Sequence, residues 1–224
     1  MMPLSCFTIS QSYLYKLSSA AGFASILAIT GCQSSAESSA TASNQSTGTP
    51  SVSVVSDMSQ QTLRQQALRI QRALANNDFS RITDDIHPTR GVRFSMYAHV
   101  HLDKDKVFSR EQFAQYLNQS KIRFTWGELD GAGEALVVPL PEYLDTWIDG
   151  KKYNNARITV NTFESRGNMI NNVNEAYPKS DVVDFYYKGS DKYDGIDWRG
   201  MRLIFEEYQG RRYLVGIIND RWTV

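Results

Sequence analysis

Met201–Trp222 reads MRLIFEEYQGRRYLVGIINDRW, and the reading of this stretch decides the fold. Two runs rich in β-branched and aromatic residues, Met201–Tyr208 and Arg212–Ile218, flank Gln209-Gly210. That pair is short enough for a hairpin loop in which Gly supplies a positive φ. Along the first run Leu203 and Phe205 share one face, and Ile204 and Glu206 share the other. Along the second, Leu214, Gly216 and Ile218 alternate with Tyr213, Val215 and Ile217. Apolar residues on both faces predict strands at the centre of a sheet, with helices against one side and a partly enclosed cavity on the other. Trp198 and Trp222 flank the hairpin and are the expected aromatic walls of that cavity.

Working outward, Arg157–Phe163 and Val182–Tyr187 read as further strands. Gly91–Asp103, GVRFSMYAHVHLD, alternates with period two and predicts one long half-buried strand, with Val92, Phe94, Met96, Ala98, Val100 and Leu102 on its apolar face. Leu63, Ala67, Ile70 and Leu74 recur at helical spacing, Gln and Arg fill the remaining faces, and Asn76-Asn77-Asp78 ends the helix. Ser109–Gln112 is a capping-box signature opening a short helix. Pro141 stands just inside another, with Tyr143, Leu144, Trp147 and Ile148 as its apolar face and Gly150 beyond its end. Trp126–Gly133 reads as a turn-rich connection. Helices first and antiparallel strands afterwards predict an α+β domain with a curved sheet.

No second linker or repeat divides residues 57–224, which are expected to form one α+β domain. Lys and Arg number 24 and Asp and Glu 24, interspersed beyond Asp57, so the basic footprint of a nucleic-acid binder is missing. The first 31 residues differ: Lys16 is their one charged side chain, and Leu17–Ile29 is apolar or small. This is a secretory signal pattern, too short and too often interrupted to span a bilayer, which takes about 20 apolar residues. Residues 33–56 hold nine Ser, three Thr and a single charge at Glu37, a composition that builds no core and predicts a flexible tether. Its average reach is on the order of 25 to 30 Å.

The apolar run ends ILAITGC, Ile26–Cys32, and ordinary signal cleavage needs no cysteine there. The stretch resembles the bacterial lipobox. The resemblance implies a diacylglycerol thioether on Cys32, cleavage before it and acylation of the new amino terminus, so residues 32–56 become a lipidated Cys and its tether. Two or three acyl chains hold a protein on a membrane far more firmly than one. Gln33, where an Asp would favour the inner membrane, implies sorting to the outer membrane of the cell envelope. Cys6 leaves with the signal peptide, which leaves the exported domain no pair for a disulfide.

Trp126-Gly127, Asp130-Gly131, Asp197-Trp198-Arg199, Leu203, Phe205-Glu206 and Tyr213–Ile218 ending at Trp222 together resemble an uncharacterised family of bacterial lipoproteins, from Ile86 onward. The closing hairpin also resembles that of the NTF2-like (cystatin-like) superfamily. That implies a cone in which helices pack on a curved antiparallel sheet, a fold that hosts enzymes, binding pockets and assembly modules alike.

Candidate chemistry is sparse. On a regular strand His99, His101 and Asp103 would point from one face, a set that could ligate zinc, although same-face neighbours lie almost 7 Å apart and no fourth ligand is evident. His87, in Ile-His-Pro-Thr-Arg-Gly near Asp84 and Asp85, could act as a general base. Asp191, Asp194 and Asp197 do not follow calcium-loop spacing and read as a solvated turn, and Asn168–Asn174 as a loop. There is no nucleophile elbow, phosphate loop or dinucleotide fingerprint, and no cofactor is implied. The expectation is a non-enzymatic module, anchored to the membrane through Cys32, that binds a small ligand or an envelope protein. The alternative is a small hydrolase or isomerase using His87 or pocket acids.

Overall fold

A computed structural model describes residues 52–119 and 121–223. The expected signal peptide, Cys32 and the tether as far as Ser51 lie outside the described residues. The described chain falls within one unit, and none of its helices is long and apolar enough to cross a membrane.

The first helix, α1, spans Val52–Ala75, so it begins inside the stretch read as tether. Leu63, Ala67, Ile70 and Leu74 form its buried stripe. Gln71, assigned by its polarity to an outer face, is buried as well, because its amide donates to Gly150 O at 2.9 Å and to Asn154 Oδ1 at 3.1 Å. Asn77, at φ 57°, turns the chain out of the helix. A 3₁₀ segment, Phe79–Asp85, leads to β1 (Val92–Ser95).

β2 (Lys106–Phe108) and α2 (Arg110–Asn118) follow, and Ser109 and Gln112 cap α2 reciprocally as the box predicts. Trp126–Gly133 departs from expectation in part: Leu129–Gly133 is a turn, but Trp126–Glu128 is strand. It belongs to a hairpin of β3 (Arg123–Glu128) and β4 (Ala135–Pro139) that forms a separate two-stranded sheet, with Trp126 buried. A short α3 (Leu140–Glu142) with Pro141 in its first turn runs on as a π-helical turn, Tyr143–Ile148. Tyr143, Leu144, Trp147 and Ile148 are all buried.

β5 (Arg157–Val160), a one-turn α4 (Val173–Ala176), β6 (Asp181–Tyr187), β7 (Arg199–Tyr208) and β8 (Arg211–Arg221) complete the chain. The main sheet runs β2-β1-β8-β7-β6-β5 and is antiparallel except where β1 pairs parallel with β8. The domain is therefore α+β, and its closing hairpin is central. Gln209 (φ 52°) and Gly210 (φ 74°) are both left-handed, the geometry that two-residue hairpin loops favour.

One irregularity changes the faces of that hairpin. The register shifts between Ile204 and Phe205, so that Ile204 pairs with Gly216 but Phe205 with Leu214. Val215 is the extra residue of a β-bulge. Leu214 thereby joins Leu203, Phe205 and Ile217 in the main core under α1, while Val215 joins Ile204 and Ile218 on the opposite face. Val100, Val173 and Tyr177 cover that second face. The surface expected to line a cavity is packed instead, because apolar side chains on both faces recruit a layer on each.

The long strand expected over Gly91–Asp103 stops at Ser95. Burial still alternates, with Met96, Ala98 and Val100 inside, but the backbone has left the sheet. Side chains take over its hydrogen bonds. Trp147 Nε1 donates to Met96 O at 3.1 Å, Arg93 donates to the carbonyls of His101 and Leu102, and Asn172 brackets Val100.

Candidate functional site

Where the 96–105 segment leaves the sheet it passes over the β3–β4 hairpin, and between them lies a cleft of about 330 Å³. Its floor is Met96 and Trp126. Trp126 is fixed by stacking on Tyr143 at 3.6 Å and by donating Nε1–H to Val138 O at 2.9 Å. Gly127 lets the hairpin approach, since a Cβ there would lie 2.9 Å from Met96 Sδ. Tyr97 and Met169 form a wall shared with a second lobe of about 320 Å³ that reaches Leu129, Gly131 and Thr223. Tyr97 Oη accepts the amide hydrogen of Asp130 at 2.9 Å, which ties the hairpin turn to that wall.

The rim carries the polar chemistry: His99, His101, Lys104, Asp105 and Glu128. Asp105 is its keystone. Its Oδ2 accepts from Ser95 Oγ at 2.5 Å and from His101 N at 2.9 Å, pinning the segment at both ends. Burial raises the Asp105 pKa above the ordinary carboxylate value, against the lowering effect of those two hydrogen bonds and of Arg93.

His99 is oriented from behind. Asn172 Oδ1 accepts from Val100 N at 2.7 Å and Nδ2 donates to Val100 O at 3.0 Å, so the amide cannot be flipped without losing both. Nδ2 also faces His99 Nε2 at 3.4 Å, a contact that fixes the direction of the ring. His101 lies edge-on to it, ring centroids 4.7 Å apart. An irregular segment thus presents a preorganised rim, held by Trp147 and Arg93 from neighbouring elements, by Asn172 from behind and by its own Asp105.

The sequence candidates fare unevenly. His99 and His101 do come together, but Asp103 is exposed and does not line the cleft, since the strand that would have aligned the three ends at Ser95. Among the described residues no three His, Cys, Asp or Glu side chains group as a metal site would require.

His87 is buried in a turn. Its Nδ1 accepts from Thr89 N and Arg90 N, and its ring packs between Tyr208 and Tyr213. Asp85 is not its partner, because that carboxylate accepts from Gln66 and Arg69. Burial lowers the His87 pKa, with Glu206 opposing. The geometry makes His87 a turn lock.

Trp198 and Trp222 are not walls of the cleft. Trp198 is buried against Gly167, where a Cβ would come within 3.1 Å of the indole, and Trp222 is 45% exposed. Sequence reasoning passed over Tyr97, Lys104, Asp105, Glu128 and Met169. The signals near them were His99 and His101 on the same rim, and Trp126-Gly127 and Asp130-Gly131 in the hairpin.

No protein-family model matches the chain, and no curated protein matches it. Among solved structures, it is similar to a protein from Xanthomonas campestris described as a calcium/calmodulin dependent protein kinase II association domain, at 12% identity and a TM-score of 0.31, over 71% of this chain and 85% of that one. It is also similar to Aln2 from a Streptomyces species, at 12% identity and a TM-score of 0.30, over 77% of this chain and 93% of that one. At those scores neither assigns a fold family or an activity.

Proposed function

We propose that this chain is a bacterial envelope lipoprotein, anchored through acyl chains on Cys32, whose α+β domain binds a small ligand in the cleft between the 96–105 segment and the β3–β4 hairpin. The order of apolar run, small residues and Cys32 supports the anchor, and Gln33 supports the outer membrane. An NTF2-like cone is the finer architecture we infer, supported by α1 packed against a sheet whose centre is the β7–β8 hairpin. The observation that carries the binding role is the make-up of the cleft. An apolar floor and a few convergent polar groups, held by packed elements, are the usual composition of a small-molecule site.

Native mass spectrometry of the full chain, purified in detergent, tests this. Met169 lies where the two lobes meet, so Met169→Trp fills the passage between them. The wild type is expected to retain a small molecule that the variant loses at an unchanged melting temperature. The same bound species on both would sink the assignment.

An acid/base enzyme is the second reading, and Asp105 favours it. A carboxyl with a raised pKa beside two imidazoles is a pairing suited to proton transfer.

A further inference from the structure

Resting on the cleft as the binding site, we propose that its ligand is a zwitterion of the α-amino acid class with a large apolar side chain. Three features of the cleft converge on that chemistry.

The first is paired, unmatched charge. Lys104 and Glu128 both line the cleft, and neither takes part in an ion pair among the described residues. A simple anion would meet the Glu128 carboxylate and a simple cation the Lys104 ammonium, and like-charge juxtaposition disfavours both. A ligand that carries one charge of each sign satisfies the two residues together.

The second is the donor set on the Lys104 side. His99 and Lys104 both line the cleft, and Asn172 faces His99 through Nε2 alone, so ring and ammonium are both open to a ligand oxygen. A carboxylate accepts from both. Asp105 is committed through Oδ2 to Ser95 and His101, whereas no hydrogen bond or ion pair engages the Glu128 carboxylate among the described residues.

The third is the apolar lining of floor and wall. Trp126, Met96 and Met169 offer an aromatic face and two polarizable thioethers, surfaces suited to an aromatic or long aliphatic side chain. A volume of about 330 Å³ accommodates one amino acid and leaves the second lobe open beyond it.

The chain has three histidines, so their ring resonances report the site directly, with His87 as an internal control outside the cleft. The full chain in detergent is titrated with L-phenylalanine, N-acetyl-L-phenylalanine and L-phenylalaninamide. L-Phenylalanine is expected to shift His99 and His101 saturably and to leave His87 in place. Blocking either end of the ligand should weaken binding about tenfold or more. Glu128→Gln should abolish the preference over the acetylated ligand, and Lys104→Met the preference over the amide. Both residues sit on the rim, so circular dichroism melts should match the wild type. If the acetylated or amidated ligand shifts His99 and His101 as readily as L-phenylalanine, the zwitterion assignment is overturned while the cleft stands as a site. Silence of both resonances to all three ligands up to about 10 mM overturns it also, whereas the cleft itself is judged separately by the Met169→Trp comparison.

Discussion

Arg202 donates through Nη2 to Asp220 Oδ2 at 2.9 Å across β7 and β8, and both side chains are sealed from solvent. Asp184, the lateral neighbour of Arg202 on β6, lies 3.4 Å from its Nε and takes a second cation, Arg166, at 2.7 Å. The ring of Phe163 closes over the guanidinium. Two arginines and two aspartates thus share a sheet face with the apolar patch of Val182, Ile204 and Ile218.

Removing the central cation leaves Asp220 buried without its partner, and losing one member of a buried pair costs about 3 to 5 kcal/mol. Arg202→Met is therefore expected to lower stability by that amount, a large share of the roughly 5 to 15 kcal/mol typical of a domain. Urea denaturation measures it. A loss under about 1 kcal/mol would mean that the aspartates relax to water and that this face opens.

Much of this architecture was legible because periodicity reports burial. Leu63, Ala67, Ile70 and Leu74 mark α1, and the alternating hairpin marks the sheet centre. The same periodicity misled at Gly91–Asp103, where burial alternates through Val100 although β1 ends at Ser95. Alternation encodes which side chains are inside. It does not encode whether a neighbouring strand or side chains such as Asn172 and Asp105 receive the backbone hydrogen bonds. The Val215 bulge left no compositional mark, since a single extra residue of strand-forming type looks like any other. The cleft was hidden for a further reason. Met96, Trp126 and Met169 meet only through long-range packing, and local pattern carries no record of that.

The lipid anchor is tested through Cys32 alone. Cys32→Ser should block acylation and processing together, so the protein accumulates as an uncleaved precursor that takes up no radiolabelled palmitate. Incorporation of label into the variant would place the acyl chain elsewhere and remove the anchor from the proposal.

His87 gives a pH signature of the fold. Burial holds its folded pKa below the ordinary value of 6.5, so between the two values the unfolded chain binds more protons. Stability is then lost as pH falls through about 6.5. His87→Asn keeps an acceptor for the amides of Thr89 and Arg90 but does not titrate. Thermal melts between about pH 7 and pH 5 should show the variant losing less stability than the wild type. Parallel losses would mean that His87 titrates as freely in the folded state as in the unfolded one.

Asp105 carries the opposite sign, and its test bears on the site itself. Its folded pKa is raised from the ordinary 3.8 by burial, so the folded state holds the proton more tightly than the unfolded chain. The stabilisation is complete below about pH 3.8 and disappears as pH rises through the folded value, where a buried carboxylate must form. Asp105→Asn retains an oxygen for Ser95 Oγ and His101 N and removes that ionisation. Relative to wild type, the variant should gain stability as pH rises above about 3.8 and level off once the wild-type carboxyl has ionised, while at each pH the ring signals of His99 and His101 match those of the wild type. A variant that shifts those signals would show that the segment needs the charge as well as the hydrogen bonds. A stability difference that does not change with pH would show that the Asp105 carboxyl faces water, and the cleft rim would then lack the fixed point on which its geometry depends.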